Sequence, residues 1–599
     1  MSHVWKTVKR MLRGHVGLYV LSYVFQFLMC LCSVFSTFLT SVLVDAYMGQ
    51  LSKAAFLEQW VAQIVAGSED IEILYGNTNR IGFWVLGSAI VLVVVSMIRM
   101  ILRARVSSLI NRHMQDEMYD HLLGLPFSYY KQAKPGDLIQ TCTQDVDTIR
   151  KFLIMQTSQI LYSLWMLVFC LVVLFQIHFI LALSTLVLMV PLFIFSFFFI
   201  KKVRKAYRAA DDAEAQIVDR LNDNLSGVRV IKAFSAEQKE IALFEKDLLA
   251  YQKVSRYDRF LESFFFSFSD IFIFFSRAIA VIAAIALCFE GSISGGSVAI
   301  SFTFVNMMVW PLRDAAQTLS AFGQVMAASD RIQLLLSAPL ENIEEGDETP
   351  LKGDIVFDHV SFHYPDEPDN DVVRDVSFHV PAGSTCAIMG KTGSGKSTLY
   401  ALLTRLYETT GGAILFDGMD AKAKSKRVLR QDVASVLQDP FLFSRSIEDN
   451  IRIAVPEATH ASVEQAARTA EIDDAILHFD QGYDTPVGEK GVTLSGGQRQ
   501  RVAIARALLP NAPIIVFDDS LSAVDAQTDL AIRKKLETEA KGATKIIITH
   551  RINTAKDANQ ILVMDDGRVI ESGTHEELLA RNGLYAEVAR IQCDRKEEL

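Results

Sequence analysis

The sequence predicts two parts in series: an α-helical membrane domain of six transmembrane helices with long cytosolic extensions, then an α/β domain. Three observations lead there. Nearly all the long apolar runs of the 599-residue chain fall before Arg331. Two helical patterns continue without proline well past the end of such a run. Beyond residue 352 the pattern changes to short β-rich runs and amphipathic helices, one of them opened by a glycine-rich loop. Composition agrees, with 50% hydrophobic residues and a mean hydropathy of +0.24, where soluble domains rarely average above zero. Modest charge and sparse cysteine exclude a disordered chain and a small disulfide scaffold. A net charge of -10 leaves no basic footprint, so nucleic acid is not an expected partner.

A hydrocarbon core of about 30 Å takes roughly 20 apolar residues as helix. Six runs qualify, near 17–47, 81–102, 155–177, 179–200, 260–288 and 297–322. The third and fourth are parted only by a turn at Ile177 and His178, which makes them a membrane hairpin. Ahead of the first, Lys6, Lys9, Arg10 and Arg13 alternate with apolar residues, the pattern of an interfacial helix. The first run is too long for a cleaved signal peptide and lacks a small-residue cleavage site.

Charge orients the spans. The basic amino terminus, Arg99 to Arg112, and Lys201, Lys202, Arg204 and Lys205 belong in the cytosol. The segment from Gln50 to Asn79 sets Glu58, Glu69, Asp70 and Glu72 against Lys53 alone, so it belongs outside. Both termini are then cytoplasmic, as an even number of spans requires. None of the seven cysteines (Cys30, Cys32, Cys142, Cys170, Cys288, Cys386 and Cys593) lies in that outer segment, so no disulfide framework is expected.

The inner connections are long. The pattern from Ile81 to Gly124, roughly 44 residues at about 1.5 Å each, spans about 66 Å, twice the bilayer core. Lys201 to Arg259 repeats it. Such helices must project into the cytosol, where something should dock on their tips.

The second half carries the chemistry. The reading divides the chain into a membrane domain, 1–333, a linker rich in acidic and turn residues, 334–352, and a second domain, 353–599. In the latter, Gly390-Lys391-Thr392-Gly393-Ser394-Gly395-Lys396-Ser397 follows the apolar strand Thr385 to Met389. Strand, glycine loop and helix start are the context of a phosphate-binding loop. Backbone N–H groups and the helix terminus would cradle the phosphates of ATP, with Thr398 adjoining. Lys396 would reach the β and γ groups and Ser397 a Mg²⁺ ion. Downstream, Ile514 to Phe517 reads as a buried strand ending in Asp518, a second magnesium ligand. This makes the second domain an α/β P-loop NTPase.

Between these motifs lies Leu494-Ser495-Gly496-Gly497-Gln498-Arg499-Gln500-Arg501. As bare chemistry it is a serine and two glycines opening a helix, which is either an anion site or an ordinary cap. It resembles the signature of ATP-binding cassette transporters. The rest of that family's set follows in order. Tyr364 resembles the aromatic that stacks on adenine, and Gln438 the glutamine that links magnesium to the membrane domain. Ser522, Ala523 and Asp525 resemble the loop crossing the dimer interface, and His550 the histidine at the γ-phosphate. Membrane domain first and nucleotide domain second matches the exporter type. Leu125 to Tyr130 with Gly136-Asp137-Leu138, and Gly227 to Phe234, resemble its two cytoplasmic loop segments, which dock on nucleotide domains.

One departure stands out. The family's catalytic glutamate follows the magnesium aspartate, and here Asp519 fills that position. A general base must come within about 2.6–3.2 Å of the attacking water. Asp is one methylene shorter, and a misplacement of roughly 1 Å can cost about 100-fold. The site on this chain's own loop is therefore expected to bind ATP and hydrolyse it slowly, unless a local backbone shift lets Asp519 reach. The resemblance implies two nucleotide domains facing head to tail. An intact signature with an altered base then points to one subunit of a heterodimer, its partner a second half transporter, with a homodimer still open.

The resemblance also implies ATP-driven export of hydrophobic or amphipathic small molecules or lipids through the bilayer. A siderophore-type importer, a lipid flippase and an ATP-gated channel or regulatory subunit remain alternatives. Within the fifth span, Asp270 and Arg277 lie two helical turns apart, where they could line a substrate path or form a structural pair. Seven phenylalanines surround them, among them Phe264, Phe265, Phe268 and Phe272. Pro311 could kink the sixth span. Without a targeting segment, the expected location is a bacterial plasma membrane.

Overall fold

A computed structural model of the chain describes residues 2–597 except 69, 76, 489, 490 and 521–523. The side chains of residues 2, 188–189, 192–193, 196–197, 200–201, 204, 309–321, 526 and 593–597 also lie outside the description. Glu69, Ser522 and Ala523 of the sequence reading therefore fall outside the described residues, as do the side chains of Lys201, Arg204, Pro311 and Cys593. The chain forms two compact units, Met1–Gly124 with Ala133–Ala338, and Leu125–Gln132 with Pro339–Leu599. The division falls within the stretch read as linker, whose first residues complete the helix Val309–Ser337.

The first unit is helical. Ser2–Met11 buries Thr7, whose hydroxyl pairs with that of Ser329 at 2.9 Å, and ties Arg10 to Glu117 at 2.6 Å while Trp5 stays exposed. Four described helical runs are long and apolar enough to cross a membrane: Val16–Met48, Thr78–Leu123, Pro135–Ile177 and Glu237–Phe289. The 179–200 run opens the 48-residue helix Phe179–Ser226, and His178 in extended conformation (φ -166°) makes the break before it. The run read as the sixth span is divided into Gly295–Met307 and Val309–Ser337. The break at Met308 follows from Pro311, which can supply no N–H to the carbonyl four residues back, that of Met307.

Length behaves as the sequence implies. Thr78–Leu123 has 46 residues and Glu237–Phe289 has 53, about 70 and 80 Å at 1.5 Å per residue. Phe179–Ser226 and Glu237–Phe289 pack along one another. Phe195 meets Phe268 at 4.6 Å between ring centroids, and Phe199 meets Phe264 and Phe265 at 5.8 and 5.7 Å. Those phenylalanines thus stitch two helices together, whereas Phe274 and Phe275 are exposed. Two π-helical turns, Thr141–Asp145 and Phe152–Gln156, interrupt the run before residue 157. Asp145 in the first takes both 2.6 and 2.7 Å hydrogen bonds from Arg331.

Glu58, read as one acid of a polar outer segment, is fully buried. It accepts from the Ser41 and Ser297 hydroxyls at 3.1 and 2.8 Å. Asp45 beside it, also fully buried, accepts from the Gly296 N–H at 2.6 Å and the Ser294 hydroxyl at 2.7 Å. At the start of Gly295–Met307, Asp45 thus takes a backbone N–H while Glu58 takes the Ser297 side chain.

The described residues of the second unit form ten strands. β1 (Ile355–His363), β2 (Asp371–Val380), β4 (Gly411–Phe416) and β5 (Met419–Asp420) form an antiparallel sheet in the order β2-β1-β4-β5. β3 (Thr385–Gly390), β6 (Val433–Val436), β7 (Ile514–Asp518), β8 (Thr544–Ile548), β9 (Gln560–Asp565) and β10 (Arg568–Gly573) form the other, in the order β10-β9-β3-β8-β7-β6. Its strands are parallel save the β10 edge. β7 is buried along its whole length, as a strand covered on both faces must be. A separate core joins the helices Ile447–Arg452, His460–Thr469 and Gly496–Leu508.

Candidate functional site

The parallel strands β3, β8 and β7 end side by side, so the loops after them converge. After β3, Gly390 and Gly395 adopt φ of +155° and +97°. A side chain at Gly390 would collide with the Met564 carbonyl, and a Cβ at Gly395 would come 2.8 Å from that of Val372. Both positions therefore need glycine. Gly393 is also at positive φ, while Lys391, Thr392 and Gly393 are exposed above the loop.

The helix Lys396–Leu403 starts at this loop. Lys396 is buried, and its ammonium donates to the carbonyls of Gly390 and Lys391 at 2.9 and 2.6 Å and to the Ser394 hydroxyl at 3.4 Å. Burial pushes the Lys396 amine down from its usual value, opposed by Asp518 and Asp519. Ser397 remains exposed, beside Asp518 at the end of β7. Burial pushes the Asp518 carboxyl up and Asp519 adds to it, while Ser397, Lys396 and His550 pull the other way. An anion and a divalent cation entering here would relieve both strains, since each charged group would gain an opposite one.

Asp519 stands half-buried at φ +42°, its N–H donating to the Ile548 carbonyl at 2.8 Å. His550, two residues past that carbonyl, is exposed, and its own carbonyl accepts from Gln592 at 2.7 Å. Tyr364 donates to or accepts from the Thr398 hydroxyl at 3.1 Å, which holds the ring against the helix start. Thr398 thus has a part the sequence did not reveal. Gln438 is exposed, its carbonyl 3.4 Å from the Gln500 side chain of the signature helix.

In the signature, Ser495 accepts from the Gln498 N–H at 3.2 Å and Gln498 reaches back to the Ser495 N–H at 2.9 Å. This reciprocal capping box opens Gly496–Leu508, so the cap reading of those residues is realised. Leu494 is buried, whereas Ser495 and Gly496 are exposed and Gly497 half-exposed. Within the same helix, Arg506 bonds the Asn450 and Phe441 carbonyls at 2.8 and 3.0 Å; that anchor carried no motif signal. Asp525 caps Ala526–Glu539, accepting from the N–H groups of Gln527 and Thr528. Asp270 and Arg277 share the helix Glu237–Phe289, both half-buried, with the guanidinium 5.6 Å over the Phe274 ring.

A nucleotide-triphosphatase domain carried on a helical membrane bundle is therefore the class that the fold and the loop chemistry define. The profile described as ABC transporter transmembrane region matches residues 19–312, and that described as ABC transporter matches 373–522. The chain belongs to the ATP-binding cassette transporter family. It is 34% identical over 485 residues, 80% of this chain and 83% of the other, to the Bacillus subtilis (strain 168) protein named "Probable multidrug resistance ABC transporter ATP-binding/permease protein YheI". The ATP-dependent lipid A-core flippase of Yersinia pestis bv. Antiqua (strain Antiqua) is 31% identical over 528 residues, 86% of this chain and 90% of that one. A bacterial Atm1-family ABC exporter solved with ATP bound superimposes with a TM-score of 0.75 at 26% identity, over 97% of this chain and 98% of that one. The chain is an exporter-type half transporter, a multi-pass membrane protein that couples ATP hydrolysis to transport. Proteins of this class work as dimers.

Proposed function

We propose that this chain exports hydrophobic or amphipathic molecules as the slowly hydrolysing half of an asymmetric dimer. The observation that carries the reading is Asp519. Its backbone is tied to β8 through the Ile548 carbonyl, which supports a carboxylate one methylene short of the family's glutamate. The Leu494–Gln498 signature keeps its helix-opening geometry at the same time.

In this reading Tyr364 stacks on adenine, and the loop 390–398 holds the phosphates. Lys396 exchanges loop carbonyls for phosphate oxygens, and His550 contacts the γ-phosphate. Mg²⁺ would be held by Ser397, Gln438 and Asp518, and would withdraw charge from the phosphates. Leu494, Ser495, Gly496, Gly497 and Gln498 cap the ATP of the partner, whose own base is a glutamate. Ser522, Ala523 and Asp525 face the dimer seam. The membrane unit makes six crossings with both termini in the cytosol of a bacterial cell. The short helix Val228–Ala233 supports a dimer, because Val228, Val230 and the following Phe234 are exposed apolar residues at a helix junction. Asp270 and Arg277 border the substrate path.

A second reading, lipid flipping on the same fold, is favoured by the similarity to the lipid A-core flippase. Inside-out vesicles from the native host distinguish them. Export predicts ATP-dependent accumulation of a hydrophobic cationic dye against its gradient, slowed by Lys396→Ala. Movement of a fluorescent lipid without dye uptake would support flipping, and downhill flux merely opened by ATP would contradict a pump.

A further inference from the structure

Lys131 belongs to the short helix Phe127–Gln132, part of the segment Leu125–Gln132 that the nucleotide-binding unit takes in. Its ammonium lies 3.5 Å from the centroid of the Tyr364 ring. The placement is built rather than incidental. Phe127, one turn earlier, packs edge-on with Tyr407 at 5.8 Å, and Tyr407 packs edge-on with Tyr364 at 5.3 Å. Phe362 meets Tyr364 at right angles at 5.0 Å, and the Tyr364 hydroxyl is tied to Thr398. The ring is thus fixed on several sides, and Lys131 covers a face. Lys131 itself is exposed, and no described ion pair draws it elsewhere.

A cation above a tyrosine is held by the negative face of the π system. A stacked purine needs a face of the same ring, and at 3.5 Å the ammonium leaves no room for one on the face it covers. We propose that Lys131 is a base-sensing residue: it caps the Tyr364 face, and a purine stacking there displaces it, releasing the Phe127–Gln132 helix from that ring contact. The inference rests on the reading of Tyr364 as the adenine platform. It deepens that reading by giving the base, and not only the phosphates, a mechanical consequence. Leu125–Gln132 is joined covalently to Thr78–Leu123 on one side and Pro135–Gln140 on the other, so its release bears directly on two helices of the membrane unit.

The test compares ATP with inorganic tripolyphosphate, which has the phosphates and no base. Affinities of the full-length protein in lipid nanodiscs, with Mg²⁺, are measured by calorimetry for wild type, Lys131→Met, Lys131→Arg and Tyr364→Ala. Loss of the competing cation should tighten ATP relative to tripolyphosphate about two- to five-fold in Lys131→Met, the worth of an exposed cation–π contact. Lys131→Arg should behave as wild type, because a guanidinium also stacks on the ring. Tyr364→Ala should weaken ATP about five-fold or more with tripolyphosphate unchanged. An unchanged or weaker ATP-to-tripolyphosphate ratio in Lys131→Met would overturn the inference, since the base would then stack elsewhere or gain from the lysine. If Tyr364→Ala leaves ATP binding intact, the adenine reading fails instead.

Discussion

Asp519 donates its N–H to the Ile548 carbonyl at 2.8 Å, so the end of β7 and the segment leading to His550 are fixed to each other by a backbone bond. On the proposed reading, the Asp519 carboxylate then falls one methylene short of where the family's glutamate reaches. Asp519→Glu should raise ATP turnover at this chain's own loop about 10- to 100-fold, the scale expected when a base about 1 Å short is restored. Single-turnover hydrolysis, with the partner's base removed, reads that site alone. No change would mean that something other than reach limits the reaction.

The signature should matter more than the base. If this chain's Ser495 and Gly496 cap the partner's active site, Gly496→Asp abolishes steady-state ATP hydrolysis of the purified complex. Asp519→Asn should leave most of it. Equal loss from both variants would indicate identical sites.

Gly296 is held tightly between the buried Asp45 carboxylate and Ser41. A Cβ there would lie 2.5 Å from the Asp45 carboxylate and from both the carbonyl and hydroxyl oxygens of Ser41. Gly296→Ala should therefore destabilise the membrane unit by about 1–3 kcal/mol, as forced overpacking does. A lowered thermal midpoint in detergent checks it.

Glu58 adds a pH dependence. Burial pushes its carboxyl above the usual glutamate value, with Asp45 contributing, against hydrogen bonds from Ser297, Ala55 and Ser41. The folded state then binds a proton more readily than the unfolded chain, so this group's contribution to stability falls as pH rises through the raised value. Thermal midpoints measured across that window should flatten in Glu58→Gln.

Glu341 shows the opposite sign. Burial alone would raise its carboxyl, but Arg430, bonded to it twice at 2.8 Å, and Lys426 at 3.0 Å hold it below the usual value. Its contribution is present above the unfolded value and lost as pH falls through the folded one. Glu341→Ala takes the carboxylate from Arg430 and leaves Lys426 with Glu408 at 3.2 Å, and should cost about 1–3 kcal/mol, read as a lower unfolding temperature of the nucleotide-binding unit at neutral pH.

The nucleotide motifs were legible because their geometry demands particular residues. Gly390 and Gly395 sit where a Cβ has no room, and Ser495 with Gln498 writes a capping box into the sequence. The helices Thr78–Leu123 and Glu237–Phe289 were legible from unbroken periodicity and missing proline, whereas Phe179–Ser226 continues through Pro191. Hydropathy could not show that Glu58 is buried, because its partners Ser41 and Ser297 come from distant segments. Nor could it divide the 297–322 run at Met308, which depends on a hydrogen bond that Pro311 forbids. Lys131 carries no motif signal, since its relation to Tyr364 exists only once 125–132 joins the nucleotide-binding unit.

The most direct measurement is native mass spectrometry of the tagged chain purified from its own host in mild detergent. The account predicts a complex of this 66.9 kDa chain with a different polypeptide of similar size. The sequence of that polypeptide should carry glutamate at the base position and a damaged signature. A mass of twice this chain alone would contradict the asymmetric pair and leave Asp519 to serve both sites.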